Sequence, residues 1–103
     1  MKALFIFFCA LFSLNLYSAE EKDIDKMTTY STILGRAIGC ELDVSKELEH
    51  VGTWMDKRGL TNKYLMIFAE SLKLNMQSQI DGSSPDSCQS VEKTIQKMNF
   101  GEL

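Results

Sequence analysis

His50 is the only histidine in the chain, and with Glu47 it forms a Glu-x-x-His spacing. Carboxylate-rich dimetal centres in helical bundles use that spacing twice, together with two further glutamates. The chain carries it once, so we predict no dimetal site. An imidazole changes charge near about pH 6.5 and could act as a pH sensor. His50 falls outside the apolar stripe of its predicted helix, which favours a solvated surface histidine.

Copper is the second metal that these residues suggest, because His50, Trp54 and Met55 lie close together in the sequence. Thioether sulfurs are soft ligands that select Cu(I). The methionines are nevertheless scattered at core-type spacings, and filling gaps in a core is their usual role. They are Met27, Met55, Met66, Met76 and Met98. We therefore predict no metal and no cofactor.

The chain lacks the common catalytic motifs: Gly-x-Ser-x-Gly, a phosphate-binding glycine-rich loop and His-Glu-x-x-His are all missing from the sequence. A Ser-His-Asp triad could still assemble in space around His50. Paired acids such as Glu47 and Glu49 could serve a glycosidase-like mechanism, although an exposed acidic face explains them better. We predict no catalytic residue and no enzymatic activity.

Trp54, Lys57 and Arg58 are the candidates for an interface, since tryptophan and arginine are frequent anchors of protein–protein contacts. The alternative is that Trp54 closes the end of the helical bundle.

Residues 1–19 have the pattern of a secretory signal peptide: a basic start, a run of about 14 mostly apolar residues, and Ala19 before an acidic segment. A membrane-spanning helix needs about 20 apolar residues, so we expect cleavage, no stable membrane anchor, and a periplasmic or secreted location. Residues 20–103 would then form a single domain.

Two cysteines, Cys40 and Cys88, remain after cleavage, since Cys9 lies in the predicted signal peptide. In an oxidising compartment they favour one intramolecular disulfide. A disulfide between two chains and a pair of free thiols are the alternatives. Closing a loop of this length would stabilise the domain by roughly 4 kcal/mol.

The net charge argues against two classes of partner. Cleavage would remove Lys2 alone among the charged residues, leaving 10 basic residues against 14 acidic ones and a net charge of about −4. Nucleic acids and anionic membrane surfaces attract basic patches, so we expect neither to bind.

The periodicity of apolar residues predicts four helices, over Asp23–Gly39, Val44–Arg58, Asn62–Ile80 and Pro85–Asn99. We expect an all-α fold, a compact bundle of about four helices braced by the Cys40–Cys88 disulfide.

The expected helix ends and core positions follow from residue type. Asp43 and Ser84 suit N-caps, Pro85 suits the first helical position, and Gly59 and Gly82 suit helix ends. Residues 101–103 are expected to fray. The core stripe of the third helix is expected to contain Leu65, Phe68, Leu72, Met76 and Ile80, widened by Tyr64, Ile67 and Leu74.

The layout resembles the periplasmic immunity proteins that guard against amidase effectors of type VI secretion. The matching features are a helix that ends in Arg36–Cys40, a central pair of helices, and Cys88 at the opening of the last helix. The resemblance implies a helical protein that binds and inhibits another protein.

The chain also resembles the acid-activated chaperones of the bacterial periplasm in its size and in the span from Cys40 to Cys88. It departs from them in having one histidine and no evident acid-sensitive cluster. No functional residue is carried over from either family. We expect a monomer or homodimer that binds another protein, as an inhibitor or immunity factor, with a stress chaperone as the alternative.

Overall fold

The computed structural model describes the backbone of residues 2–103 and the side chains of residues 21–103. The chain folds into four α-helices: α1 (Lys2–Gly39), α2 (Ser45–Lys57), α3 (Thr61–Asp81) and α4 (Cys88–Lys97). A 3₁₀ turn follows at Phe100–Glu102. The predicted all-α bundle of four helices is confirmed. The predicted signal peptide, residues 1–19, lies outside the part whose side chains are described.

The core draws apolar side chains from all four helices. Leu34, Val51, Met55 and Val91 are almost completely shielded from solvent. The remaining buried apolar residues are Met27, Ala37, Val44, Trp54, Leu60, Phe68 and Phe100. Partly buried apolar residues of α1, α2 and α4 pack against this core, among them Tyr30, Leu48 and Ile95. Glycines close two of the helices as expected, because Gly59 and Gly82 adopt the left-handed conformation that other residues rarely take.

Helices α1 and α3 pack closely side by side. Gly35 of α1 lies so near to α3 that an ideal Cβ would overlap the carbonyl oxygen of Leu72. An ideal Cβ on Gly39 would lie 2.7 Å from the Met76 carbonyl oxygen. Successive glycines of α1 therefore face successive turns of α3, so the two helices run parallel. Only glycine permits this approach of one backbone to another.

Replacement of Gly35 by alanine is expected to lower the free energy of unfolding by about 1–3 kcal/mol, because the new methyl group would overlap backbone of α3 that cannot rotate away. Gly52→Ala is the matched control. Gly52 is an exposed glycine within α2 with open space at its Cβ position, so alanine there should stabilise the domain by up to about 1 kcal/mol. Urea denaturation at neutral pH measures the free energy of unfolding of both variants. Equal changes in the two variants would contradict the close packing of α1 on α3.

The disulfide braces the bundle as predicted. Cys40 follows the end of α1 and Cys88 begins α4, with 5.6 Å between their Cα atoms. The Arg36 guanidinium pairs with the Asp86 carboxylate beside the bridge. Gln79 of α3 donates a hydrogen bond of 3.1 Å to the Asp86 backbone carbonyl. The loop before α4 is therefore attached to both α1 and α3.

The predicted start of the fourth helix is wrong by about one turn. Ser84 and Pro85 do not open it; Ser87 is the N-cap, and its side chain accepts a hydrogen bond of 3.1 Å from the Ser90 backbone N–H. The physical reason is the attachment of Asp86, whose contacts to α1 and α3 hold residues 84–86 in a bend.

The C-terminal tail was expected to fray, and this prediction is also wrong. The side chain of Phe100 is buried against Tyr30, with 5.5 Å between the ring centroids. Burial of an aromatic ring provides enough apolar contact to order the last turn of the chain.

Candidate functional site

Trp54, the proposed interface anchor, belongs to the core. Its side chain is 4% exposed and packs edge-on against Tyr30, with 5.5 Å between the ring centroids. Lys57 and Arg58 are exposed, so the three residues do not form one surface. The prediction of Trp54 as an exposed anchor is wrong, and the burial of the indole agrees with the alternative, in which Trp54 closes the bundle. α2 turns the indole towards Tyr30 of α1, and Tyr30 also contacts Phe100.

Burial raises the pKa of the Tyr30 hydroxyl above its usual range. The phenol is therefore neutral at physiological pH and does not introduce a charge into the aromatic cluster.

His50 is exposed, as the sequence predicted. It lines an open cleft of about 570 Å³ between α2 and the end of the chain. The lining includes Lys46, Glu49 and Lys57, which alternate in charge along the cleft. Among the described residues, no group of three or more histidine, cysteine and acidic side chains is placed to hold a metal ion.

The exposed large hydrophobic side chains of the described region are concentrated on α3. Met66 is 85% exposed, Ile67 60% and Leu74 54%. These three side chains border a shallow groove of about 470 Å³, whose lining is completed by Glu70, Ser71 and Asn75. We call these six residues the α3 groove. Leu65 and Ile80 are also exposed on α3 but do not line it.

One wall of the α3 groove is held in place by α1. The Ser31 hydroxyl, which is buried, donates to the Thr28 carbonyl and lies 2.9 Å from the Ser71 hydroxyl. Asn75 donates a hydrogen bond of 2.8 Å from its side-chain amide to the Ser71 carbonyl. The polar wall is therefore ordered before any partner arrives, while the apolar wall is open to solvent.

The predicted core positions of α3 include four residues that the structure shows to be exposed, so the prediction is wrong for Leu65, Ile67, Leu74 and Ile80. Met66 is likewise not a core methionine, since it is the most exposed of these side chains. Phe68 is the one buried apolar residue of α3. The width of the apolar arc on α3 could have indicated this exposure. When a helix packs against neighbours on one side, only part of so wide an arc is buried.

Comparison of the chain with protein-family models, with curated proteins and with solved structures finds no match. A search of the described helices finds none that is both long enough and apolar enough to cross a membrane.

The domain is expected to stay folded from neutral pH down to about pH 4. Asp43 and Asp81 accept hydrogen bonds from the side chains and backbone N–H groups of Ser45 and Ser83, and these bonds lower the pKa of both carboxyls below the ordinary value of an aspartate. A lowered pKa favours folding above the ordinary value, and this contribution is lost as the pH falls through the folded-state pKa.

Circular dichroism measures the helicity of the domain as the pH is lowered from about 7 to about 2. Asp81→Asn keeps a side-chain oxygen that accepts from Ser83 but cannot titrate, so its stability should vary less below about pH 4 than that of the wild-type protein. Loss of helicity above about pH 4 would contradict the prediction.

Proposed function

We propose that this chain is an exported protein that acts by binding another protein, as an inhibitor or immunity factor, and that the α3 groove is its binding surface. The observation that carries the proposal is the concentration of exposed apolar side chains on a single helix. Soluble monomeric proteins seldom expose contiguous apolar patches of this kind unless another molecule covers them.

The proposal of export is supported by two features of the chain. The N-terminal 19 residues have the charge and hydropathy pattern of a signal peptide. The two cysteines outside that segment form a bridge, and disulfides of this structural kind are typical of oxidising compartments.

An inhibitory role is supported by the rigidity of the groove. The Ser31–Ser71 contact and the Asn75 hydrogen bond order one wall, and the close α1–α3 packing keeps the supporting helices together. A preorganised surface loses little conformational entropy on binding, which favours tight association with one partner. This role is also the one that the resemblance to periplasmic immunity proteins implies.

A periplasmic stress chaperone is the second candidate, and one observation favours it: the same apolar side chains are exposed without any need for unfolding. A chaperone would hold many unfolded clients through this surface at low occupancy. An inhibitor would hold one folded partner in a fixed ratio.

Leu74→Ser is expected to weaken partner binding by about 2 kcal/mol, the size of a hot-spot loss, while leaving the thermal midpoint nearly unchanged. Leu74 is more than half exposed, so the domain should fold without it. The matched control is Gln96→Ser, a replacement at an exposed position on α4. Affinity capture from the organism's own periplasmic extract, followed by titration of the purified partner, measures the effect.

Retention of one stoichiometric partner by the wild-type protein and by Gln96→Ser, but not by Leu74→Ser, would support an inhibitor. Many partners retained at low occupancy through the same groove would favour the chaperone. Equal retention by both variants would show that the α3 groove is not the binding surface.

A further inference from the structure

We infer that the partner docks on the α3 groove through a cationic amphipathic helix. This inference rests on the proposed function, because it assumes that a protein partner occupies the groove. It comes from the one charged residue in the groove lining, Glu70.

Glu70 lies in the middle of the apolar residues and not at their edge. It follows Met66 by one helical turn and precedes Leu74 by one turn, so all three point to the same side of α3. The carboxylate is exposed and forms no ion pair within the described residues. An exposed carboxylate of this kind is hydrated.

Docking of an apolar surface over Met66, Ile67 and Leu74 would remove that water. A carboxylate that loses its hydration without gaining a partner costs far more than the apolar contacts around it contribute. A lysine or arginine from the partner would restore the interaction as a charge-assisted hydrogen bond. The excess of acidic residues in 20–103 also favours approach of a positively charged segment.

The spacing within the α3 groove fits a helix. Ile67 and Leu74 are seven residues apart and so lie about 10 Å apart along the axis of α3, with Glu70 between them. A partner helix with two apolar residues seven positions apart and a basic residue between them presents the complementary pattern. Ser71 and Asn75 border this pattern on the side of α1, where they lie beside Ser31 and Gly35.

A second copy of the chain is a poor occupant for the same groove. An antiparallel pairing that brings Ile67 of one copy opposite Leu74 of the other has its two-fold axis close to residue 70. A parallel pairing places Glu70 level with its equivalent. Either arrangement brings two carboxylates together in the centre of a dehydrated interface, where like charges destabilise the contact.

Two synthetic peptides of about 18 residues test the inference. One is an amphipathic helix of leucine and lysine, and the other has glutamate at every lysine position. Each is labelled and titrated by fluorescence anisotropy with the full disulfide-bonded protein. We expect the lysine peptide to bind and the glutamate peptide to bind at least tenfold more weakly, since loss of the charge-assisted hydrogen bond to Glu70 alone accounts for roughly that factor.

Glu70→Gln should weaken binding of the lysine peptide by roughly tenfold. Glu92→Gln removes the same charge from an exposed position on α4 and should leave the affinity within about twofold of the wild-type value. Leu74→Ser should also weaken binding, which separates docking in the groove from nonspecific attraction to an acidic protein.

Four results would each overturn the inference. Equal binding of the two peptides, or equal effects of Glu70→Gln and Glu92→Gln, would remove the requirement for a cationic partner. If Leu74→Ser still weakened both peptides, the α3 groove would remain the proposed binding surface. If Leu74→Ser affected neither peptide, the proposed function would lose its surface as well.

Sedimentation velocity tests a second copy as the occupant. A concentration-dependent dimer that Leu74→Ser abolishes would assign the groove to a second copy.

Discussion

Replacement of Trp54 by alanine is expected to lower the free energy of unfolding by about 3–5 kcal/mol. The indole is almost completely buried and lies edge-on to Tyr30, which also contacts Phe100. Alanine would leave a cavity beside Tyr30 and would remove one of the two ring contacts that position this tyrosine under Phe100. Denaturant titration, followed by far-ultraviolet circular dichroism, measures the loss.

Thr53→Ala is the matched control for Trp54→Ala, because Thr53 is the exposed neighbour on the same turn of α2. It should change the free energy of unfolding by no more than about 0.5 kcal/mol. If the Trp54→Ala protein is as stable as this control, the indole does not contribute to the core, and Trp54 becomes a candidate for the interface again.

Loss of the disulfide is expected to have the second large effect. Replacing Cys40 and Cys88 together by alanine should lower the free energy of unfolding by about 2–5 kcal/mol. The bridge closes a segment of 48 residues, so its absence increases the conformational entropy of the unfolded chain. It also joins α1 to the first residue of α4, and α4 is the shortest helix of the bundle.

Intact mass should first confirm the bridge in the wild-type protein, as a loss of about 2 Da relative to the reduced form. Wild-type protein in reductant is the control, and it should unfold at the same denaturant concentration as the double variant. If the oxidised wild-type protein also shares that midpoint, the helices do not depend on the brace.

The apolar pattern predicted most of the local structure. Four helices are present, and Gly59 and Gly82 close two of them. These features depend on residues within one or two turns of each other, so periodicity and residue type are sufficient to predict them. Cys40 and Cys88 were also predictable as a pair, since they are the two cysteines outside the N-terminal segment. The exposure of His50 followed from its place off the apolar stripe.

The α3 groove could not be predicted in the same way. Ile67 and Leu74 look like core residues in the sequence, because an apolar arc on a helix normally indicates the side that faces its neighbours. Which part of a wide arc is covered depends on how many neighbours a helix has and where they lie. α3 packs closely on α1, through Gly35 and Gly39, and the opposite side remains open.

The sequence by itself determined the helical class, most helix ends, the disulfide partners and the surface position of His50. Only the tertiary structure decided that Trp54 faces the core, that Phe100 orders the tail, and that α4 begins at Cys88. The physical reason is the range of the interactions. Helix periodicity and capping act over a few residues, whereas burial depends on contacts between segments far apart in the chain. The apolar residues around Glu70 became a candidate binding surface only when the packing of α3 left them exposed.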